Sequence, residues 1–143
     1  MTVFLDSTVL VSALVEDEPH HEACLRLLGR KSLAAWSHAL AETFATLTGG
    51  RLGLRVAPAV AAELIESSLV PRLRMVELGA GDLIAALHTT EGAGVRGGAF
   101  YDYLHLVAAR KSGATLLYTL NERHFLAVSR SGDPRIEAPK PHG

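Results

Sequence analysis

Val3-Phe4-Leu5-Asp6-Ser7-Thr8-Val9-Leu10 changes its periodicity at the midpoint. A short apolar run rich in Val and Phe reads as a strand, and the three small polar residues after it read as a helix N-cap. Val9, Leu10, Ala13 and Leu14 then recur at helical spacing. A strand that feeds directly into a helix makes no tight hairpin, so its sheet neighbours are expected to run parallel to it.

Outward from this unit the same alternation returns. Pro19 opens a helix carrying Ala23, Cys24, Leu27 and Leu28 and stopping at Gly29. Ser32 to Trp36 reads as a second strand, although Ala34 and Ala35 have little strand preference. Ser37 is placed to cap a helix through Leu40, Phe44 and Leu47 to Gly49-Gly50. A helix over Pro58 to Ser67, a strand over Leu73 to Leu78 and a helix over Asp82 to Thr90 follow. Gly92 to Gly98 is a glycine-rich loop, and Ala99 to Ser112 is a long apolar helix that Gly113 ends. Thr115 to Thr119 is the clearest strand, with Arg135 to Glu137 as a last edge strand. The expected fold is α/β: three α/β/α layers around a central parallel sheet, one domain over residues 1–138 and a frayed tail over residues 139–143.

The composition narrows the function classes. A chain of 143 residues with 48% hydrophobic and 20% charged residues buries enough surface to fold without disulfides or a structural metal. Its formal net charge of −1 excludes gripping nucleic acid by bulk charge, so any such contact must be local. Cys24 is the single cysteine, which leaves no intramolecular disulfide and no thiolate zinc cluster. Met1-Thr2-Val3-Phe4-Leu5-Asp6 has no basic start, and no apolar run approaches the length of a membrane helix; the expected location is the cytoplasm.

In an open parallel sheet, ligands bind where strands hand over to helices. Asp6 follows the first strand, Glu42 lies early in the helix after the second, and Asp102 lies in the first turn of the long helix. Thr119 ends the clearest strand and Asn121 and Glu122 follow it. Each acid has an ordinary reading: Asp6 as an N-cap, Glu42 as a solvated surface acid, Asp102 as a helix-start carboxylate. Brought to one edge, the three would repel one another and raise their pKa values. A hard divalent cation relieves that repulsion, and oxygen-only ligands suit Mg²⁺, with Mn²⁺ as a substitute. Such a metal orients a phosphodiester and makes a bound water more acidic, so hydrolysis of phosphodiesters is the reaction this pattern serves.

At Val3 to Leu10, at Ala39-Leu40-Ala41-Glu42-Thr43 and from Ala99 through Asp102 to Asn121, the chain resembles PIN domains, and among them the VapC-type toxins of type II toxin–antitoxin pairs. The resemblance implies a Mg²⁺-dependent endoribonuclease. It implies Asp6, Glu42 and Asp102 as the catalytic acids, with Asp6 and Asp102 as the direct metal ligands. Glu42 then binds metal-bound water or positions the nucleophile, and Thr119 and Ser7 support the site. Many relatives carry a fourth acid where this chain has Asn121, so a stable second metal is not expected. The implied partners are the RNA substrate, a cognate VapB-type antitoxin and a second copy of the chain in a homodimer.

Other residues carry weaker readings. Ser7 also suits helix capping, and Arg96 before the Asp102 helix is placed to meet an RNA phosphate. Tyr101 and Tyr103 read as packing residues before base-stacking ones, Arg51 and Arg55 as a solvated helix face before an RNA path, and His105 and His124 as structural. Val11, Leu14, Val15, Leu25, Leu28, Val60, Leu64 and Ile65 are more apolar surface than one helix face requires, as burial against another chain would need. A receiver module would want an Asp after the third strand, where Glu77-Leu78-Gly79 stands. A haloacid-dehalogenase phosphatase would want Asp-x-Asp where Asp6-Ser7-Thr8 stands. The alternative that survives is a catalytically weak or inactive PIN-fold subunit that works by binding protein or RNA.

Overall fold

The computed structural model describes residues 1–50 and 52–141. Its five strands are β1 (Val3–Leu5), β2 (Leu33–Trp36), β3 (Arg74–Val76), β4 (Leu116–Tyr118) and β5 (Arg135–Glu137). They form one sheet in the order β3-β2-β1-β4-β5, every neighbouring pair parallel. The helices are α1 (Ser7–Leu14), α2 (His21–Leu28), α3 (His38–Thr48), α4 (Pro58–Leu64), α5 (Ala80–Ala93), α6 (Ala99–Ser112) and α7 (Glu122–Val128). After α4 the chain continues through one wide π turn, Ile65–Leu69, and one tight 3-10 turn, Val70–Arg72, into β3. The expected three-layer α/β/α architecture is the one observed.

Strand periodicity divides the core into two. Val3, Leu5, Leu33, Ala35 and Leu116 face the layer that contains α1 to α4, where Val9, Leu10, Cys24 and Leu47 pack. Phe4, Ala34, Trp36 and Leu117 face the layer of α5 to α7, where Tyr103, Leu106 and Phe125 pack. Both faces being apolar is what burial between two helical layers demands. The alanines of β2 weaken its strand signal for a packing reason: both are fully buried, and α6 lies across this strand.

Several local readings change. Pro19 stands two residues ahead of α2 rather than opening it, and Ser37 makes no side-chain cap at α3. Helix α5 is longer than expected at both ends, and α7 was not expected at all. Arg55 lies in the loop after α3, not on a helix face, and Arg51 lies outside the described residues. In the tail read as frayed, Pro139 is buried, and the carbonyls of Lys140 and Pro141 accept hydrogen bonds from the Arg26 guanidinium on α2; positions 142 and 143 lie outside the described residues. Val11, Leu28 and Ile65 belong to the core, whereas Leu25 and Val60 remain exposed. Among the described residues, no helix is long and apolar enough to cross a membrane.

Candidate active site

The chain runs β1, β2, β3 toward one edge of the sheet and then β4, β5 toward the other, so the switch point lies between β1 and β4. Asp6 leaves the end of β1 there and Thr119 leaves the end of β4, and the two side chains meet. Thr119 Oγ1 donates to Asp6 Oδ2 at 2.6 Å. Thr8 Oγ1 donates to Asp6 Oδ1 at 2.6 Å, and the Val9 N–H reaches the same oxygen at 3.2 Å. Both hydroxyls are themselves fed by backbone: Leu120 N–H donates to Thr8 Oγ1 and Asn121 N–H to Thr119 Oγ1, each at 2.9 Å. Asp6 is thus the N-cap of α1 and the pin between the halves of the sheet. It is 2% exposed. Burial drives its pKa up, the His105 imidazole and the three donors pull it back, and the net direction is upward.

Glu42 reaches the same edge from α3. Its Oε1 lies 2.7 Å from His105 Nε2 and 3.7 Å from His38 Nδ1. Burial alone would raise its pKa, but the two imidazoles outweigh burial and hold it below the ordinary value. The His105 side chain is 3% exposed, and its Nδ1 is buried without a hydrogen-bond partner among the described residues. Its ring also packs edge-on against Trp36, at 5.0 Å between centroids.

Asp102, half-buried in the first turn of α6, accepts no hydrogen bond that would neutralise it among the described residues. Burial raises its pKa first; the charges of Asp6 and Glu42 raise it further, against the opposing pull of His105 and His124. Asp102 is therefore the acid that feels both of the others, and all three feel the His105 imidazole. Asn121 stands exposed at the start of α7 and, with Ser7, Thr8, Ser12, Glu42 and Thr46, lines a cleft of about 580 Å³; of the three acids, Glu42 alone borders it.

Placement bears on three readings. Thr8, not Ser7, supplies the second hydroxyl to Asp6; Ser7 only borders the cleft. His105, read as structural, touches Glu42, and its spacing of three from Asp102 puts both on one face of α6. Tyr103 is fully buried, its hydroxyl 2.5 Å from Thr89 Oγ1, whereas Tyr101 is 52% exposed. Arg96 is exposed in the loop before α6. Cys24 is buried beneath α1, its thiol pushed up to about 12 by burial and by the Asp6 charge, which makes it a core residue rather than a nucleophile.

Known proteins match this chain along most of its length. The PIN domain family profile matches residues 3–130. Ribonuclease VapC27 of Mycobacterium tuberculosis is 32% identical over 112 residues, which span 78% of this chain and 80% of that protein. Among solved structures, Mycobacterium tuberculosis VapC20, a sarcin–ricin loop cleaving toxin, superposes with a TM-score of 0.69 at 22% identity, covering 93% of this chain and 100% of that one. VapBC2 from Rickettsia felis, bound to a DNA fragment of its promoter, gives 0.67 at 18% identity, with 96% and 98% covered. At those identities the structures speak to the fold, and the profile and the sequence relative speak to the family. The chain belongs to the PIN-domain family, in its VapC branch.

Proposed function

We propose that this protein is a Mg²⁺-dependent endoribonuclease, the toxin of a type II toxin–antitoxin pair, acting in the cytoplasm at the edge that carries Asp6, Glu42 and Asp102. The observation that carries the reading is the placement of Asp102 where it feels the charges of both Asp6 and Glu42, beside the switch point of the sheet. Asp102 has no hydrogen-bond donor to stabilise its charge among the described residues, and its pKa is pushed up by burial and by its acidic neighbours. A hard cation is the partner such a carboxylate lacks. Among the described residues, no group of three or more His, Cys, Asp or Glu side chains already stands ready to hold a metal. The proposed ion, a single Mg²⁺ or Mn²⁺, would thus rest on two carboxylates, Asp6 and Asp102, with water in the remaining positions. When bound, such an ion supplies charge neutralisation at a phosphodiester and a more acidic water.

The protein's own residues supply the rest. Asp6 is immobilised by Thr8, Thr119 and the Val9 N–H, so one oxygen pair is fixed before any ligand arrives. Glu42 is held by His105 and kept ionised by both imidazoles, which suits it to accept a hydrogen bond from the attacking water. Asn121, neutral at the mouth of the cleft, can hydrogen-bond RNA or water without adding charge. The proposed partners are an RNA substrate, a VapB-type antitoxin that covers this edge, and a second copy of the chain. The VapBC2 structure of the Rickettsia relative supports the antitoxin.

The test is cleavage of a mixed cellular RNA pool by purified, antitoxin-free protein with Mg²⁺, Mn²⁺ or excess EDTA. Wild type should give discrete fragments with either metal and none with EDTA, and Asp6→Asn and Asp102→Asn should give none. Equal cleavage by all three proteins would mean a contaminant. Silence from well-folded wild type with both metals would replace the proposal with the inactive binding subunit.

A further inference from the structure

The rings of Trp36, His38 and Tyr101 form a ladder that rises from the core to solvent beside the acidic edge. Trp36, at the end of β2, is buried at its foot. His38, in the first turn of α3, stacks on it with centroids 4.5 Å apart and planes 23° apart. Tyr101, from α6, stacks on His38 at 5.7 Å and 17°. Tyr101 is the exposed top rung, and its outer face meets no aromatic ring among the described residues. Tyr101 adjoins Asp102 in sequence, and His38 Nδ1 lies 3.7 Å from Glu42 Oε1. The end of β2 and the start of α3, adjacent in sequence, and the distant α6 thus stack roughly parallel planes beside Glu42.

We infer that Tyr101, backed by His38 and Trp36, is a stacking platform for one unpaired nucleobase of an RNA lying across the acidic edge. This rests on the ribonuclease reading above. The chemistry selects a base over a phosphate. Glu42 and Asp102 repel phosphate unless a cation intervenes, whereas the uncharged π-face of a base is indifferent to them. A chain of net charge −1 also lacks bulk attraction for RNA, so contact energy must come from surfaces of this kind. A base already stacked within a duplex has no free face, so the platform selects a nucleotide turned out of a loop, bulge or single strand. Arg96 is exposed in the loop just before α6. Tyr101 is a binding residue here, and Trp36 and His38 position it.

The experiment uses short single-stranded RNAs of mixed sequence with 2-aminopurine placed at each position in turn, and Ca²⁺ in place of Mg²⁺ to keep the RNA intact. Wild type should quench the probe at one position. Tyr101→Ala should abolish that quench and weaken binding about tenfold, while Tyr101→Phe and Tyr101→Trp retain both. In Mg²⁺, Tyr101→Ala should raise KM about tenfold and leave kcat within about twofold. An abasic nucleotide at the quenched position should cost wild type as much as the alanine variant loses, and cost that variant nothing more. Unchanged quenching and affinity in Tyr101→Ala would overturn the platform while leaving the ribonuclease reading intact. Loss of antitoxin capture by Tyr101→Ala with normal RNA constants would overturn it too, by assigning the ring to a protein contact. Tyr101-dependent quenching by protein that never cleaves RNA would sustain the platform and defeat the ribonuclease reading instead.

Discussion

Thr119 has one hydroxyl and two duties: it donates to Asp6 Oδ2 and accepts from the Asn121 N–H. Thr119→Val keeps the shape and removes both. A buried carboxylate then loses a donor and a backbone N–H loses its acceptor, so the variant should be less stable by about 1–3 kcal/mol in urea denaturation, while Thr119→Ser stays close to wild type. The same contacts explain which site residues were legible in the sequence. Asp6, Glu42 and Asp102 stood out because acids at strand-to-helix junctions are conspicuous, and Thr119 because it ends a strand. Thr8 was hidden because adjacent hydroxyls at an N-cap look alike; only the φ and ψ of the turn decide that Thr8, two residues on, meets the carboxylate. His105 was hidden because an imidazole in an apolar helix looks like core until its partner, 63 residues away, is known.

At the scale of elements, α5 and α6 are tied by the Lys111 ammonium, which donates to Asp82 Oδ2 at 2.9 Å and to the Glu77 carbonyl at 2.8 Å. Asp82 also accepts from the Gly79 N–H at the start of α5. The Lys111 hydrogen bond and that N–H lower its pKa. A carboxylate depressed on folding adds stability that is complete above its unfolded pKa and is lost as pH falls through the folded value. Thermal unfolding followed from neutral pH down into the acid range should therefore show a smaller acid loss of Tm in Asp82→Asn than in wild type. The effect belongs to an exposed pair and should shrink in salt. Elements were legible where local chemistry and tertiary packing agree. Helix α6 and its stop at Gly113, with φ 78, were plain because a left-handed residue after an apolar helix is where glycine belongs. Helix α7 was missed because its Glu-Arg-His opening is polar and only Phe125 and Val128 anchor it. What makes it a helix is the face of α6 and β5 that it covers, which no local pattern encodes.

The whole molecule exposes 7959 Å², above the roughly 7,100 Å² of a compact monomer of its mass. Part of that surface is apolar: Ile84 and Leu87, one turn apart on α5, are 55% and 56% exposed. If the proposed homodimer uses this face, sedimentation equilibrium of the antitoxin-free protein should report twice 15.2 kDa, and Leu87→Glu should bring it to a single chain with unchanged far-ultraviolet dichroism. The fold class was legible at this scale because strand and helix alternate along the chain, whereas partner faces were not, since Val11 and Ile65 look in sequence like Leu25 and Val60 yet belong to the core. One feature of the topology also reaches into how the protein is made. The bond from Thr119 to Asp6 joins residues 113 positions apart, so on the ribosome the first acid emerges long before this donor. Until β4 has slotted in beside β1, Asp6 has only its local donors, Thr8 and the Val9 N–H, and lacks the one that ties it to the other half of the sheet. The acidic edge is therefore assembled late in synthesis, complete only once β1 and β4 are paired.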